Sequence, residues 1–242
     1  MTTSAHNNAA EVPEWGYGDC AAQWETLTPE FALCSIGEAQ SPIDIATATS
    51  GPPARIAFNY HPVPLELVNN GRTVQLNCPS GGWVTVDGRA YVLQQLHFHA
   101  PSEHAVSGQT FPMEIHLVHR DGDGQTGVLA AFVQAGQKND TIATLWTHRP
   151  SGKGIRQRLD CSIDPGELLP ANGSYYSYAG SLTTPPCSES IDWLLLRTPI
   201  QASPAQIDRF RAAFGANARP RQPLNDRRVT LRPARGAKTR LN

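Results

Sequence analysis

Gln94-Gln95-Leu96-His97-Phe98-His99, followed by Met113-Glu114-Ile115-His116-Leu117-Val118-His119, is the pair of segments on which the reading of this chain turns. Each is short and rich in strand-forming residues, which predicts β-strands. On a strand, residues i and i+2 point to the same face. His97 and His99 therefore project together. Glu114, His116 and Val118 share one face of the second strand, and His119 lies on the other. If the two strands are neighbours, three imidazoles can converge. Three neutral imidazole nitrogens leave one position of a tetrahedral zinc open, which suits catalysis better than a closed structural site. The helical HExxH motif of zinc proteases is absent. An HxH pair also occurs in strands without any metal, so at this point the metal-binding and structural readings both stand. Gln95 and Glu114 each precede a candidate ligand by two residues on the same face, where they can accept the other ring proton. His104 and His119, the remaining members of the cluster, read as structural.

Outward from these segments the β signals continue at 65–68, 73–76, 83–86, 128–133 and 191–196, bounded by Gly, Pro, Asn or Asp. Asn69-Asn70-Gly71 and Asp87-Gly88 are compatible with hairpins. The best helical pattern is 204–214, with Ser203 as its N-cap. With 20 Gly and 20 Pro in 242 residues, long helices are not expected. The expected fold is mostly β: a single domain over 15–232, a flexible arm over 1–14 and a basic tail over 233–242. The 20 Lys+Arg and 21 Asp+Glu nearly cancel, which argues against a nucleic-acid partner. From Pro204 onward the balance is +8, and this end reads as a solvated basic segment. No apolar run approaches the roughly 18 residues of a membrane span. The first fifteen residues have neither a charged n-region nor an apolar h-region. Five cysteines follow no CxxC or zinc-finger spacing.

The ordered set Trp15-Gly16-Tyr17, Gln40-Ser41-Pro42-Ile43-Asp44-Ile45, Asn69-Asn70-Gly71, His97-Phe98-His99-Ala100-Pro101-Ser102-Glu103-His104, Glu114-Ile115-His116-Leu117-Val118-His119, Ser181-Leu182-Thr183-Thr184-Pro185-Pro186, Trp193, Arg219-Pro220 and Gln222-Pro223-Leu224-Asn225 resembles the α-class carbonic anhydrases over nearly the whole chain. The resemblance implies a central twisted, mainly antiparallel sheet of ten strands with a few short peripheral helices. It implies a Zn²⁺ cofactor held by His97, His99 and His116, and reversible hydration of carbon dioxide to bicarbonate and a proton. Thr183 matches the residue that accepts a hydrogen bond from zinc-bound hydroxide, and Glu103 matches its carboxylate partner. Gln95, Glu114 and the backbone of Asn217 match the supports of the three ligands, and His104 is placed near Glu114 and Tyr178. Val118, Val128, Leu182, Ile191 and Trp193 match the apolar substrate pocket, with Thr184, Tyr17 and Asn70 beside it.

The resemblance also implies inhibition by aromatic sulfonamides, a weak esterase side activity and room for a homodimer. Cys34 and Cys187 match a disulfide of secreted and bacterial members, which favours a periplasmic or secreted protein and leaves the cytoplasm open. Cys20, Cys78 and Cys161 match no family pair. One position departs: many members carry a proton-relaying histidine after the Asn-Asn-Gly turn, and here it is Arg72, which cannot exchange protons near neutral pH. Related domains that have lost zinc ligands act as non-catalytic binding modules. The three histidines, Thr183 and Glu103 all stand here, which favours the enzyme.

Overall fold

The computed structural model describes residues 13–234. The expected arm over 1–14 and tail over 233–242 therefore lie outside the described residues, save Pro13, Glu14, Pro233 and Ala234. A twelve-stranded sheet forms the body. Ten strands make one continuous path, in the order Arg156–Ile163, Val63–Asn69, Val74–Asn77, Arg89–His99, Met113–Arg120, Thr126–Ala135, Glu189–Ala202, Tyr175–Ser181, Thr230–Arg232 and Thr49–Ser50. Seven of the nine junctions are antiparallel. Thr126–Ala135 with Glu189–Ala202 and Thr230–Arg232 with Thr49–Ser50 are parallel.

The two strands beyond the expected ten have a simple origin. Arg89–His99 is eleven residues long, enough for two partners end to end along one edge. Its residues 95–97 pair with Val74–Asn77, and 89–92 pair with Gly82–Val86, which itself carries Ile56–Tyr60. The Gly82–Val86 hairpin closes through Asp87 and Gly88, both at positive φ (49° and 94°), the conformation that a two-residue hairpin turn demands.

Alternation decides what each face buries. Along Val63–Asn69 the residues Val63, Leu65 and Leu67 are fully buried while Pro64 faces out. Each such leucine contributes about 1.5–3 kcal/mol relative to exposure. One face of the sheet packs on helices Asp140–Thr147 and Pro204–Phe214, where Phe98, Trp146 and Phe210 meet at ring distances of 4.8–6.2 Å. Ser203 is the N-cap that the sequence suggested, and with Gln206 it forms a full capping box. Among the described residues no helix is long and apolar enough to cross a membrane.

His119 leaves its strand on this helix-side face, through a bulge after Val118, and its Nε2 lies 2.7 Å from the Tyr60 hydroxyl. Burial lowers its pKa to about 4. An unfolded histidine takes a proton below about 6.5, so acid favours the unfolded chain and stability falls as pH drops from 6.5 toward 4. Urea unfolding near pH 7 and near pH 4.5 should therefore differ by a contribution of about 2–3 kcal/mol from this residue. His119→Gln should lose that part of the pH dependence. An unchanged dependence would contradict the assignment.

Candidate metal centre

The two histidine strands are neighbours, and their register sets His116 opposite His97 and Glu114 opposite His99. The rings stand 5.0 Å (His97–His99), 5.2 Å (His97–His116) and 4.5 Å (His99–His116) apart. Each offers a ring nitrogen within 4.8 Å of the others.

Hydrogen bonds choose which nitrogen faces inward. His97 Nδ1 is 2.9 Å from Gln95 Oε1, His99 Nδ1 is 2.8 Å from the Asn217 carbonyl, and His116 Nε2 is 2.8 Å from Glu114 Oε1. Carbonyl and carboxylate oxygens only accept, so all three of these nitrogens donate. The bare lone pairs are then Nε2 of His97, Nε2 of His99 and Nδ1 of His116. Burial, followed by the neighbouring His99 and His116, holds His97 well below the usual histidine range. Burial likewise lowers His99. Both stay neutral and keep their lone pairs.

Three lone pairs turned toward one another repel unless a cation sits between them. His99 Nε2 is buried with no hydrogen-bond partner among the described residues, and two buried carboxyl groups, Glu103 and Glu114, flank the cluster. A three-nitrogen set suits a borderline ion such as zinc rather than oxygen-seeking calcium or magnesium. The residues therefore fit a metal with one open position. A second group, His104, Glu114 and His116, also has metal-like spacing. Its atoms are already engaged. Glu114 Oε1 accepts from His104 Nδ1 at 2.7 Å as well as from His116, and Oε2 accepts from the His104 amide at 2.9 Å. His104 Nε2 meets the Tyr178 hydroxyl, which meets Ser41 Oγ, each at 2.7 Å. Burial alone would raise the Glu114 carboxyl, but His104 and His116 outweigh it and hold it well below the carboxylate range. This second group braces the first.

Other expected residues surround the centre. Val128, Ile191 and Trp193 are buried in one apolar cluster with Val118 and Leu182 packed against it. Trp193 stands 4.9 Å from His116 and donates its indole proton to the Ser181 carbonyl. Thr183 is buried and Thr184 half-buried, on the loop between strands Tyr175–Ser181 and Glu189–Ala202. The expected Thr183–Glu103 hydrogen bond is not formed. Glu103 Oε1 accepts from the Arg219 amide at 2.9 Å, and Oε2 has no partner among the described residues. The Arg219 amide thus anchors one oxygen and leaves the other free, 3.9 Å from His116 Nδ1. Tyr17 packs edge-on against Trp15 and Trp24, and burial, then the charge of Glu103, raises its pKa well above the usual phenol. Asn70 uses its side-chain oxygen within its own turn, accepting from the amides of Arg72 and Thr73. Arg72 lies over the Trp15 ring at 3.8 Å and donates to the Trp15 carbonyl.

Sequence reasoning missed Arg219. It is 3% exposed, and its guanidinium binds the Cys34 and Ser41 carbonyls and Gln40 Oε1 at 2.7–2.9 Å. Burial lowers its pKa to about 10. Its only sequence signal was its place beside Pro220 in the family-like run. Beside it, Cys34 and Cys187 form the expected disulfide, while Cys20 and Cys161 are exposed and free and Cys78 is buried and free.

Known proteins carry the same plan. The family model described as eukaryotic-type carbonic anhydrase matches residues 19–233. A carbonic anhydrase of Nostoc sp. is 45% identical over 91% of this chain and 86% of its own. One from Neisseria gonorrhoeae is 44% identical over 95% and 91%. The structure of α-carbonic anhydrase from Thermovibrio ammonificans in complex with the inhibitor sulfanilamide is 40% identical, with a TM-score of 0.83 over 90% of this chain and 98% of that one. With a family match over most of its length and such relatives across nearly all of it, this chain belongs to the eukaryotic-type carbonic anhydrase family.

Proposed function

We propose that this carbonic anhydrase hydrates carbon dioxide reversibly to bicarbonate and a proton at a zinc site held by His97, His99 and His116. The observation that carries the reading is the trio of inward lone pairs, one of them buried and unpartnered, beside an apolar wall. Zinc bound there would supply Lewis acidity, making a water at its open position acidic enough to yield a nucleophile near neutral pH.

The protein's own groups do the rest. Gln95, Glu114 and the Asn217 carbonyl fix the ring tautomers and orientations. The apolar side chains of Val118, Val128, Leu182 and Trp193 offer a neutral, quadrupolar substrate a surface without competing hydrogen bonds. The Thr183 hydroxyl has one proton to donate. Given to the free Oε2 of Glu103, it leaves the threonine oxygen as an acceptor toward the nucleophile, which positions a lone pair for attack. The disulfide supports a periplasmic or secreted location, since such bonds persist in oxidising compartments.

The proton must still leave. Arg72 occupies the relay position over the Trp15 ring, where burial lowers its pKa, and a guanidinium does not exchange protons near neutral pH. Turnover at low buffer should therefore be limited by proton transfer. Stopped-flow hydration with zinc analysis at two imidazole concentrations tests both readings together. The expected result is about one zinc per chain, catalysis blocked by sulfanilamide and a rate that rises with buffer. Arg72→His should raise the low-buffer rate, by up to about 10²-fold. Zinc-free protein or background hydration would overturn the site. A rate indifferent to buffer and to Arg72→His would overturn the relay reading alone.

A further inference from the structure

The chain contains two Asn-Gly pairs, Asn70-Gly71 and Asn172-Gly173. In such a pair the glycine backbone nitrogen can attack the asparagine side-chain carbonyl carbon, because no Cβ stands beside the approaching nitrogen. Three conditions favour the attack. The glycine N–H must not be tied up in a hydrogen bond. The side-chain oxygen must accept hydrogen bonds that draw electrons from its carbon. The amide nitrogen must be free to leave. The fold distributes these conditions unequally.

At Asn70 the nucleophile is engaged. The Gly71 N–H donates to Asn69 Oδ1 at 2.9 Å, and the Asn70 amide donates to the Thr73 carbonyl at 3.3 Å. Asn69 is buried and donates through Nδ2 to the Pro150 carbonyl at 2.9 Å, which holds the turn from below. Asn70 Oδ1 accepts from the Arg72 and Thr73 amides, but reaction there first needs the turn to open.

Asn172 meets all three conditions. It is exposed on the loop ahead of Tyr175–Ser181. Its Oδ1 accepts twice from Ser174, from the amide at 3.0 Å and from the hydroxyl at 2.8 Å. Ser174 is buried and fixed in turn: its carbonyl accepts from the Arg197 amide at 2.9 Å, and its Oγ accepts from the Ala234 amide at 3.1 Å. Among the described residues, neither the Gly173 amide nor Asn172 Nδ2 has a hydrogen-bond partner.

We infer that Asn172 is a site of spontaneous deamidation in the folded protein, and that the fold protects Asn70. The Gly173 nitrogen gives its proton to solvent base and bonds to Asn172 Cγ. The Cγ–Nδ2 bond breaks, and the nitrogen takes up a proton and leaves as ammonia. Water then opens the five-membered imide at either carbonyl, giving aspartate or isoaspartate. The net exchange is one water taken up for one ammonia released, with no oxidant or reductant. The isoaspartate form also lengthens the main chain by one carbon just ahead of Tyr175–Ser181.

The full chain, kept folded in warm, mildly alkaline buffer, is mapped over time by peptide mass spectrometry with an isoaspartate assay. A urea-unfolded sample runs beside it. The expected result in the folded protein is a gain of about 1 Da at Asn172, about tenfold or more faster than at Asn70. Once unfolded, the two pairs should react at comparable rates. Asn172→Gln, whose longer side chain cannot close the five-membered ring, should abolish the gain at this position and leave hydration at the wild-type rate. An Asn172 that stays intact in the folded protein while the unfolded chain converts, or an Asn70 that converts as fast, overturns the inference. A rate difference that persists unchanged after unfolding would assign the selectivity to local sequence and overturn it equally.

Discussion

His99→Ala should abolish zinc binding at the proposed site and, with it, hydration of carbon dioxide. His99 is the most enclosed of the three ligands: its Nε2 is buried and unpartnered, and its Nδ1 is fixed 2.8 Å from the Asn217 carbonyl. The substitution leaves two nitrogens, one fewer than the three protein ligands of catalytic zinc sites. Metal analysis should fall from about one zinc per chain to near none at the same free zinc, with activity at background. The fold should survive, because the alanine removes a neutral ring that packs chiefly on the other ligands. Far-UV circular dichroism checks that separately. Retention of full zinc content by a folded His99→Ala protein would remove this ligand from the site. By comparison, Glu114→Gln keeps all three nitrogens and should weaken zinc binding only by about 10–100-fold.

Removing the Cys34–Cys187 bond should be the largest purely structural loss. The bond joins residues separated by 153 positions. Closing a loop of that size constrains the unfolded chain heavily, and loss of a native disulfide typically costs about 2–5 kcal/mol. For a chain of this size that corresponds to a fall in Tm of roughly 5–15 °C. The bond also sits four residues beyond Thr183, and Gln40 Nε2 holds the Cys187 carbonyl at 3.0 Å. The double Cys34→Ala, Cys187→Ala variant should therefore lose activity as well as stability, because the loop carrying Thr183 is tied down there. A Tm within about 1 °C of wild type would contradict the stability argument. Alkylation of both thiols in unreduced native protein would contradict the bond itself.

Much of the site was legible because strands have a period of two. His97 with His99, and Glu114 with His116, can be placed on shared faces from numbering alone, and the hydrogen bonds that Gln95 and Glu114 accept follow the same period. The helix Pro204–Phe214 was legible because its cap, its first-turn proline and its apolar spacing agree. Other elements gave weaker signals. Arg156–Ile163 is an edge strand whose residues are mostly exposed or half-exposed, so no apolar alternation marks it. Tyr175–Ser181 mixes tyrosines with serine and glycine, and its alternation becomes visible only once both faces are known. Asp140–Thr147 is only two turns long, too short for its apolar spacing to stand out, and its Asn139 cap is seen only in the structure.

The sequence by itself determined the candidate ligand types, their shared faces, the hairpin turns and the arginine, rather than a histidine, at position 72. These are properties of single residues or of neighbours within one element, where covalent geometry fixes the relation. The tertiary structure alone decided that His116 stands opposite His97, that Asn217 reaches His99 across 118 residues, and that the Arg219 amide anchors one oxygen of Glu103 and leaves the other free. Such relations depend on strand register and on where loops return, and these are set by the packing of the whole sheet rather than by any local run of residues.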